Sequence, residues 1–169
     1  PSRRLLVTVC MGIFTAYYAL LPWLAPLAVR STLAATPGDV DSIGICHQTH
    51  GYSCGPAAAV TCLLVLGVPA KEGPLAIAAR CGPLVGTDPR ALAAAVNRLC
   101  TPAGFHCTYR YLDSLDQLST PAIATMFSPD LGGHYVAVLQ VTPQSVIVGD
   151  PLSGRSRWKR RSPSRRSSF

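Results

Sequence analysis

The chain has no cysteine pair at the close spacing of a zinc ribbon or a small disulfide scaffold, no GxxxxGK phosphate loop and no internal repeat. Those absences exclude a metal-stapled mini-domain, a P-loop nucleotide hydrolase and a solenoid. Acidic side chains are also few: eight Asp and Glu against fifteen Lys and Arg, for a formal net charge of +7. The imbalance is local. Arg155, Arg157, Lys159, Arg160, Arg161, Arg165 and Arg166 crowd the last fifteen residues without one acid, so the rest of the chain carries eight charges of each sign. The basic character belongs to the tail, and a nucleic-acid-binding domain loses its main support.

Charge is missing altogether from Leu5 to Val29, a run of twenty-five residues between Arg4 and Arg30. As a helix, such a run crosses a hydrocarbon core of roughly 30 Å. Pro22 and Pro26 are expected to kink its outer end, leaving Leu5–Leu21 as the strongest helical stretch and Trp23 at an interface. The run exceeds the roughly 7–15 apolar residues of an export-signal core. That favours a retained anchor over a signal cleaved near Thr32-Leu33-Ala34-Ala35, and a long charge-free helix is rarer still as a buried core element. Arg3 and Arg4 ahead of the run place the N-terminus in the cytoplasm and the main domain outside, with Arg30 pulling the other way.

Residues 1–30 are therefore read as a transmembrane anchor or signal, and 31–43, rich in Thr, Ala, Pro, Gly, Asp and Ser, as a linker. Residues 44–158 read as one domain and 159–169 as a basic low-complexity tail. The start on Pro1 and the low-complexity end give the expectation of a partial or frame-disrupted gene product.

Within the domain, Ser53 is placed to cap a helix whose first turn holds Cys54, Gly55 and Pro56, and Gly67 to end it after the apolar run Ala57–Leu66. A short helix is expected over Glu72–Arg80, and Thr87, Asp88 and Pro89 signal another that reaches about Leu99. The period then changes from helical to two. Phe105, Cys107, Tyr109 and Tyr111 alternate with polar residues as in a half-buried strand, and Pro121–Phe127, His134–Val141 and Ser145–Gly149 read as strands, the last two joined by a turn at Thr142-Pro143-Gln144. The expected class is α+β, N-terminal helices packed on an antiparallel sheet.

Four residues in this frame fit nucleophilic catalysis. A thiol near its ordinary pKa of about 8.5 is mostly protonated at neutral pH, and the first turn of a helix favours the thiolate that Cys54 would need. His134 opens a strand after Gly132-Gly133 and can pair with that thiolate as general base. Asp150 closes the next strand, beside His134 if the hairpin pairs as expected, and can orient the imidazole. Gln48 can donate to the oxyanion of an attacked carbonyl, together with the Cys54 amide, and Gly55 would leave the nucleophile open to a substrate backbone. Each has a duller explanation alone: a packed small hydrophobe, a strand-edge histidine, an Asp-Pro turn, a polar loop residue. Those explanations do not account for the order, the flanking glycines and the strand placement together.

The set Gln48-x5-Cys54-Gly55-Pro56-Ala57, Leu66-Gly67, Gly86-Thr87-Asp88, Gly133-His134-Tyr135-Val136 and Asp150-Pro151-x-Ser153-Gly154 resembles the papain-like cysteine peptidases that process bacteriocin leader peptides after a double glycine. The similarity covers about residues 44–158. It implies a papain-like fold with Cys54 as nucleophile, His134 as base, Asp150 as orienter and Gln48 as oxyanion donor, a peptide substrate cut after Gly-Gly or Gly-Ala, and no cofactor. The best-known members of that family are fused to a peptide-exporting ABC transporter. Here the membrane segment comes first, as in stand-alone anchored forms, so any such transporter is a separately encoded partner. The tail after Trp158 also departs from the mixed aromatic and charged segment usual in the family.

Two rival readings remain. Cys46, His47, His50 and Cys54 crowd nine residues and are zinc-ligand types, but Gly51-Tyr52-Ser53 interrupts a continuous helix and the site would consume the nucleophile. The other rival is a catalytically inactive, membrane-tethered peptide-binding homologue, against which stands the completeness of the four-residue set.

Overall fold

The computed structural model describes residues 2–128 and 132–160. Its elements run in the order α1 (Ser2–Ala28), α2 (Arg30–Ala34), β1 (Asp39–Val40), β2 (Cys46–His47), α3 (Cys54–Val65), α4 (Glu72–Ala78), α5 (Pro89–Cys100), β3 (Ala122–Ser128), β4 (Gly132–Val141), β5 (Ser145–Asp150) and β6 (Gly154–Lys159). Helices first and an antiparallel sheet second make the fold α+β, as the change of sequence period predicts.

Among the described residues, α1 is the one helix long and apolar enough to cross a membrane, over Arg3–Leu21. It runs on through Pro22 and Pro26 to Ala28. Leu5, Ile13, Phe14, Tyr17, Tyr18 and Leu24 are all more than half exposed, an apolar surface all round that suits lipid better than water. Its far end touches the domain: the Arg80 guanidinium lies 4.9 Å from the Trp23 ring centre, and Pro26 packs on Gly82.

The segment expected to be a linker is folded. Leu33 is buried with Ala76 and Cys81, Thr36 is buried, and β1 pairs with β2 through Asp39–His47 and Val40–Cys46. Its small residues serve close packing. A Cβ on Gly73 would overlap the Leu33 carbonyl oxygen and come within 3.0 Å of that of Thr36. Gly73→Ala should therefore push α2 off α4 and cost about 1–3 kcal/mol. A chemical-denaturation midpoint equal to that of wild type would contradict this packing.

Helix α3 is buried on every side from Cys54 to Leu63, and Ala57-Ala58-Ala59 lets its neighbours approach closely. Gly67, at φ +73°, ends it, and the Gly67 and Val68 amides donate back to the Leu64 and Leu63 carbonyls. The expected Ser53 cap does not form. Ser53 Oγ instead accepts from the His50 amide at 3.1 Å and donates to the His50 carbonyl at 2.9 Å, so it closes the preceding loop. Helix α5 does have its cap, with Asp88 Oδ1 accepting from the Arg90 and Ala91 amides at 2.9 Å.

The main sheet has the order β3-β4-β5-β6, every pair antiparallel. Strand alternation divides the core: Tyr135 and Ala137 pack with α3, and Val136, Val138, Val146 and Val148 form the opposite face with Trp158. Gly149 allows β2 and α3 to press on the sheet, because a Cβ there would meet Ile45 Cδ1 at 2.7 Å and Thr61 Cγ2 at 3.2 Å.

Two strand expectations need correction. The segment from Phe105 to Tyr111 forms no strand; Asn97 clamps it instead, donating to the Cys107 carbonyl at 2.8 Å and accepting from its amide at 2.7 Å. Conversely, the start of the basic tail is strand β6. Arg155, Arg157 and Lys159 are exposed along this edge, and Trp158 turns to the valine face. A charged edge strand resists pairing with another sheet, which explains the basic residues along it, and the strand runs one residue into the expected tail, to Lys159. Arg160 continues the fold through two bonds to Asp116, at 2.7 and 3.0 Å. The remaining tail, 161–169, lies outside the described residues.

Candidate active site

The β4–β5 hairpin brings His134 and Asp150 together. Its register pairs Ala137 with Gly149, so Asp150 falls opposite Val136, on the same face as His134 and one diagonal step away. His134 Nε2 lies 2.8 Å from Asp150 Oδ1, and both side chains are largely buried, at 11% and 16% exposed. Asp150 Oδ1 also accepts from the Leu152 amide at 2.9 Å, and Oδ2 from the Ser153 hydroxyl at 2.8 Å. Burial opposes the Asp150 charge, but the Leu152 amide, the imidazole and the Ser153 hydroxyl outweigh it, and its pKa falls below the ordinary 3.8. An ionised Asp150 accepts the Nε2 proton, which leaves Nδ1 as the basic nitrogen.

Gln48 sits against the same strand end, its amide donating to the Pro151 carbonyl at 3.0 Å. Its side-chain Nε2 donates to the His50 carbonyl at 3.0 Å, which occupies one of the two amide protons, and Oε1 is buried without a partner.

Cys54 opens α3 and is buried in the same cluster as Tyr135, the residue that follows His134. The Tyr135 hydroxyl donates to the Thr87 carbonyl at 2.9 Å. Gly55 does not serve access as expected: a Cβ there would meet Thr87 Cβ at 3.2 Å and Leu92 Cδ2 at 3.3 Å, so this glycine lets α3 pack under Thr87. Thr87 in turn donates to Cys81 Sγ at 3.0 Å, and the Cys81 thiol to the Tyr52 carbonyl at 3.0 Å. Sequence reasoning did not single out Tyr135 or Thr87 as supports, although both lie in the quoted motifs. Among the described residues, no hydrogen bond joins the Cys54 thiol to the imidazole. Such bonds commonly tighten only when substrate is bound.

Three of the other thiols are poor nucleophiles. Burial, helped by the charges of Glu72 and Asp39, pushes Cys46 up to about 12; burial pushes Cys62 to about 12 and Cys81 to about 11. The zinc reading also loses its ligands to other partners. His47 faces Asp41 at 3.4 Å and His50 Nε2 meets Thr36 Oγ1 at 3.0 Å. Among the described residues no three metal-ligating side chains converge.

A cleft of about 780 Å³ lies between α5, β3 and the segment that follows α5, lined by Leu92, Tyr109, Tyr111, Leu115, Ile123 and Tyr135. Through Tyr135 it reaches the neighbourhood of Cys54.

No family model matches the chain. An uncharacterized protein of Methanothermobacter marburgensis is 33% identical over 122 residues, which cover 69% of this chain and 77% of that protein. The chain belongs to the same family as this archaeal protein.

Proposed function

We propose that the chain is a membrane-anchored cysteine endopeptidase with a papain-like arrangement, acting on peptides with a Gly-Gly type leader motif. The observation that carries this reading is the buried 2.8 Å contact between His134 Nε2 and Asp150 Oδ1, made beside Tyr135, which packs in the same cluster as Cys54. In this reading His134 Nδ1 takes the Cys54 proton and the thiolate attacks the scissile carbonyl carbon. The C–S bond forms, and the oxyanion is held by the Cys54 amide and the free proton of Gln48 Nε2. Collapse breaks the C–N bond while the imidazolium gives its proton to the leaving amine. Water, deprotonated by His134, then attacks the thioester, releasing the carboxylic acid and restoring the thiol. No cofactor takes part, and ATP dependence would belong to a separately encoded transporter.

The anchor is α1, with the catalytic domain on the extracytoplasmic side because Arg3 and Arg4 precede it. The Gly-Gly preference rests on the resemblance of the motifs.

Incubating the purified chain with peptides that carry or lack a Gly-Gly site tests the proposal, since cleavage after the second glycine is expected only in the former. Gln48→Ala should lower kcat about 10²-fold with little change in KM, because the amide acts on charge that develops only in the transition state. Equal kcat values would remove Gln48 from the mechanism.

A second reading, a peptide-binding homologue without catalysis, is favoured by the engagement of Gln48 Nε2 with His50. It predicts saturable binding of the same peptides with no product.

A further inference from the structure

The loop between β2 and α3 carries Gln48, and nearly every residue in it is tied down. Gln48 is bonded to Pro151, His50 to Thr36 and Ser53, and Tyr52 to Cys81. The tie at Thr49 is of a different kind. Its amide donates to Glu72 Oε1 at 2.9 Å and its hydroxyl to Glu72 Oε2 at 2.7 Å. Glu72 is 0% exposed, and among the described residues it pairs with no Lys, Arg or His.

An unpaired carboxylate is costly to bury, and an apolar side chain of similar volume often serves stability as well or better. Glu72 spends both oxygens on the residue next to Gln48. The segment after the N-terminal helix packs beside it. The Leu33 and Thr36 carbonyls close on Gly73, and Gly38 lies against the Glu72 backbone and Cβ. The same segment grips the loop a second time: Thr36 Oγ1 donates to the Thr32 carbonyl at 3.1 Å, so it accepts from His50 Nε2–H and sets that tautomer.

We propose that Glu72 is a positioning residue for Gln48, fixing the Thr49 peptide so that the Gln48 amide faces the developing oxyanion, with segment 33–36 as the cover that keeps water from the carboxylate. This rests on the peptidase reading for its catalytic part and on the geometry alone for its loop-holding part.

The test uses the full chain in detergent micelles, with kcat and KM on a Gly-Gly peptide and amide hydrogen exchange measured together. Glu72→Ala should lower kcat about 10²-fold, the scale of a small misplacement of a catalytic group. KM should stay within about twofold, and faster exchange should be confined to residues 48–53. Glu72→Gln keeps an acceptor for the Thr49 amide and can donate to its hydroxyl, so kcat should recover to within about threefold of wild type. An unchanged kcat in Glu72→Ala, or a Glu72→Gln enzyme as slow as the alanine variant, would overturn the proposal. If Glu72→Ala does not fold, Thr49→Val decides, since it removes one bond and keeps the shape. Its kcat should fall with KM unchanged, and equality with wild type counts against Glu72. If wild type cleaves nothing, the peptidase reading fails by itself. Exchange at 48–53 then judges the loop-holding role, and unaltered exchange in Glu72→Ala or Thr49→Val refutes it.

Discussion

Replacing Cys54 by alanine is expected to abolish peptide cleavage, with a loss on the order of 10⁶-fold in kcat, because the thioester of the proposed mechanism forms on its sulfur. The fold should survive. Alanine is the best helix former, Cys54 occupies the first turn of α3, and only one sulfur atom is removed from the cluster around Tyr135. A melting temperature near that of wild type, together with unchanged peptide binding, would separate lost chemistry from lost structure. Cys46, Cys62 and Cys81 are no substitutes, since burial pushes their thiols to about 12, 12 and 11. Residual cleavage within tenfold of wild type would mean that Cys54 is not the nucleophile.

Asp150→Asn is expected to cost about 10³–10⁴-fold in kcat, because the carboxamide presents either a donor to Nε2 or a neutral acceptor. In the first case the proton moves to Nδ1, the nitrogen needed as base; in the second, the imidazolium loses its counter-charge. The pH dependence has a definite sign. The pKa of Asp150 is lower in the folded chain than the 3.8 of the unfolded one, so its stabilising contribution is fully present above the unfolded value. It is lost as pH falls through the lower, folded value. Asp150 therefore stays ionised throughout mildly acidic and neutral pH, and a pH–rate profile above pH 5 should contain no limb due to it. Unfolding of wild type and Asp150→Asn below pH 4 provides the control: the difference in stability between them should shrink as pH falls.

Much of this site was legible because its geometry follows from local rules. The alternation of His134–Val141 and Ser145–Gly149 around Thr142-Pro143-Gln144 specified a hairpin, and a hairpin brings the start of one strand beside the end of the next. Residues 48 and 54 were placed by the loop-to-helix change at Ser53. What was hidden depends on contacts distant in sequence. Leu33, Thr36 and Gly38 look like linker composition until α4 is seen beneath them, with Gly73 admitting the Leu33 and Thr36 carbonyls. Glu72 reads as a helix start, and only its burial and the two bonds to Thr49 distinguish it. Charge density masked β6, because an edge strand with solvent on one face can be basic and still alternate with Ser156 and Trp158. The false strand at Phe105–Tyr111 had the right period but no ladder partner; Asn97 provides the backbone partners that a neighbouring strand would have supplied.

The central claim is that Cys54, His134 and Asp150 act as one unit, and the pH dependence of Cys54 alkylation tests it most directly. Iodoacetamide labelling from pH 4 to 10, with each cysteine-containing peptide quantified by mass spectrometry, should show Cys54 reacting near pH 6 while Cys46, Cys62 and Cys81 remain unlabelled. The reactivity near pH 6 should disappear in His134→Ala and persist in Gln48→Ala, because the ion pair needs the imidazole but not the oxyanion donor. A single rise near pH 8.5, the same in wild type and His134→Ala, would contradict the account.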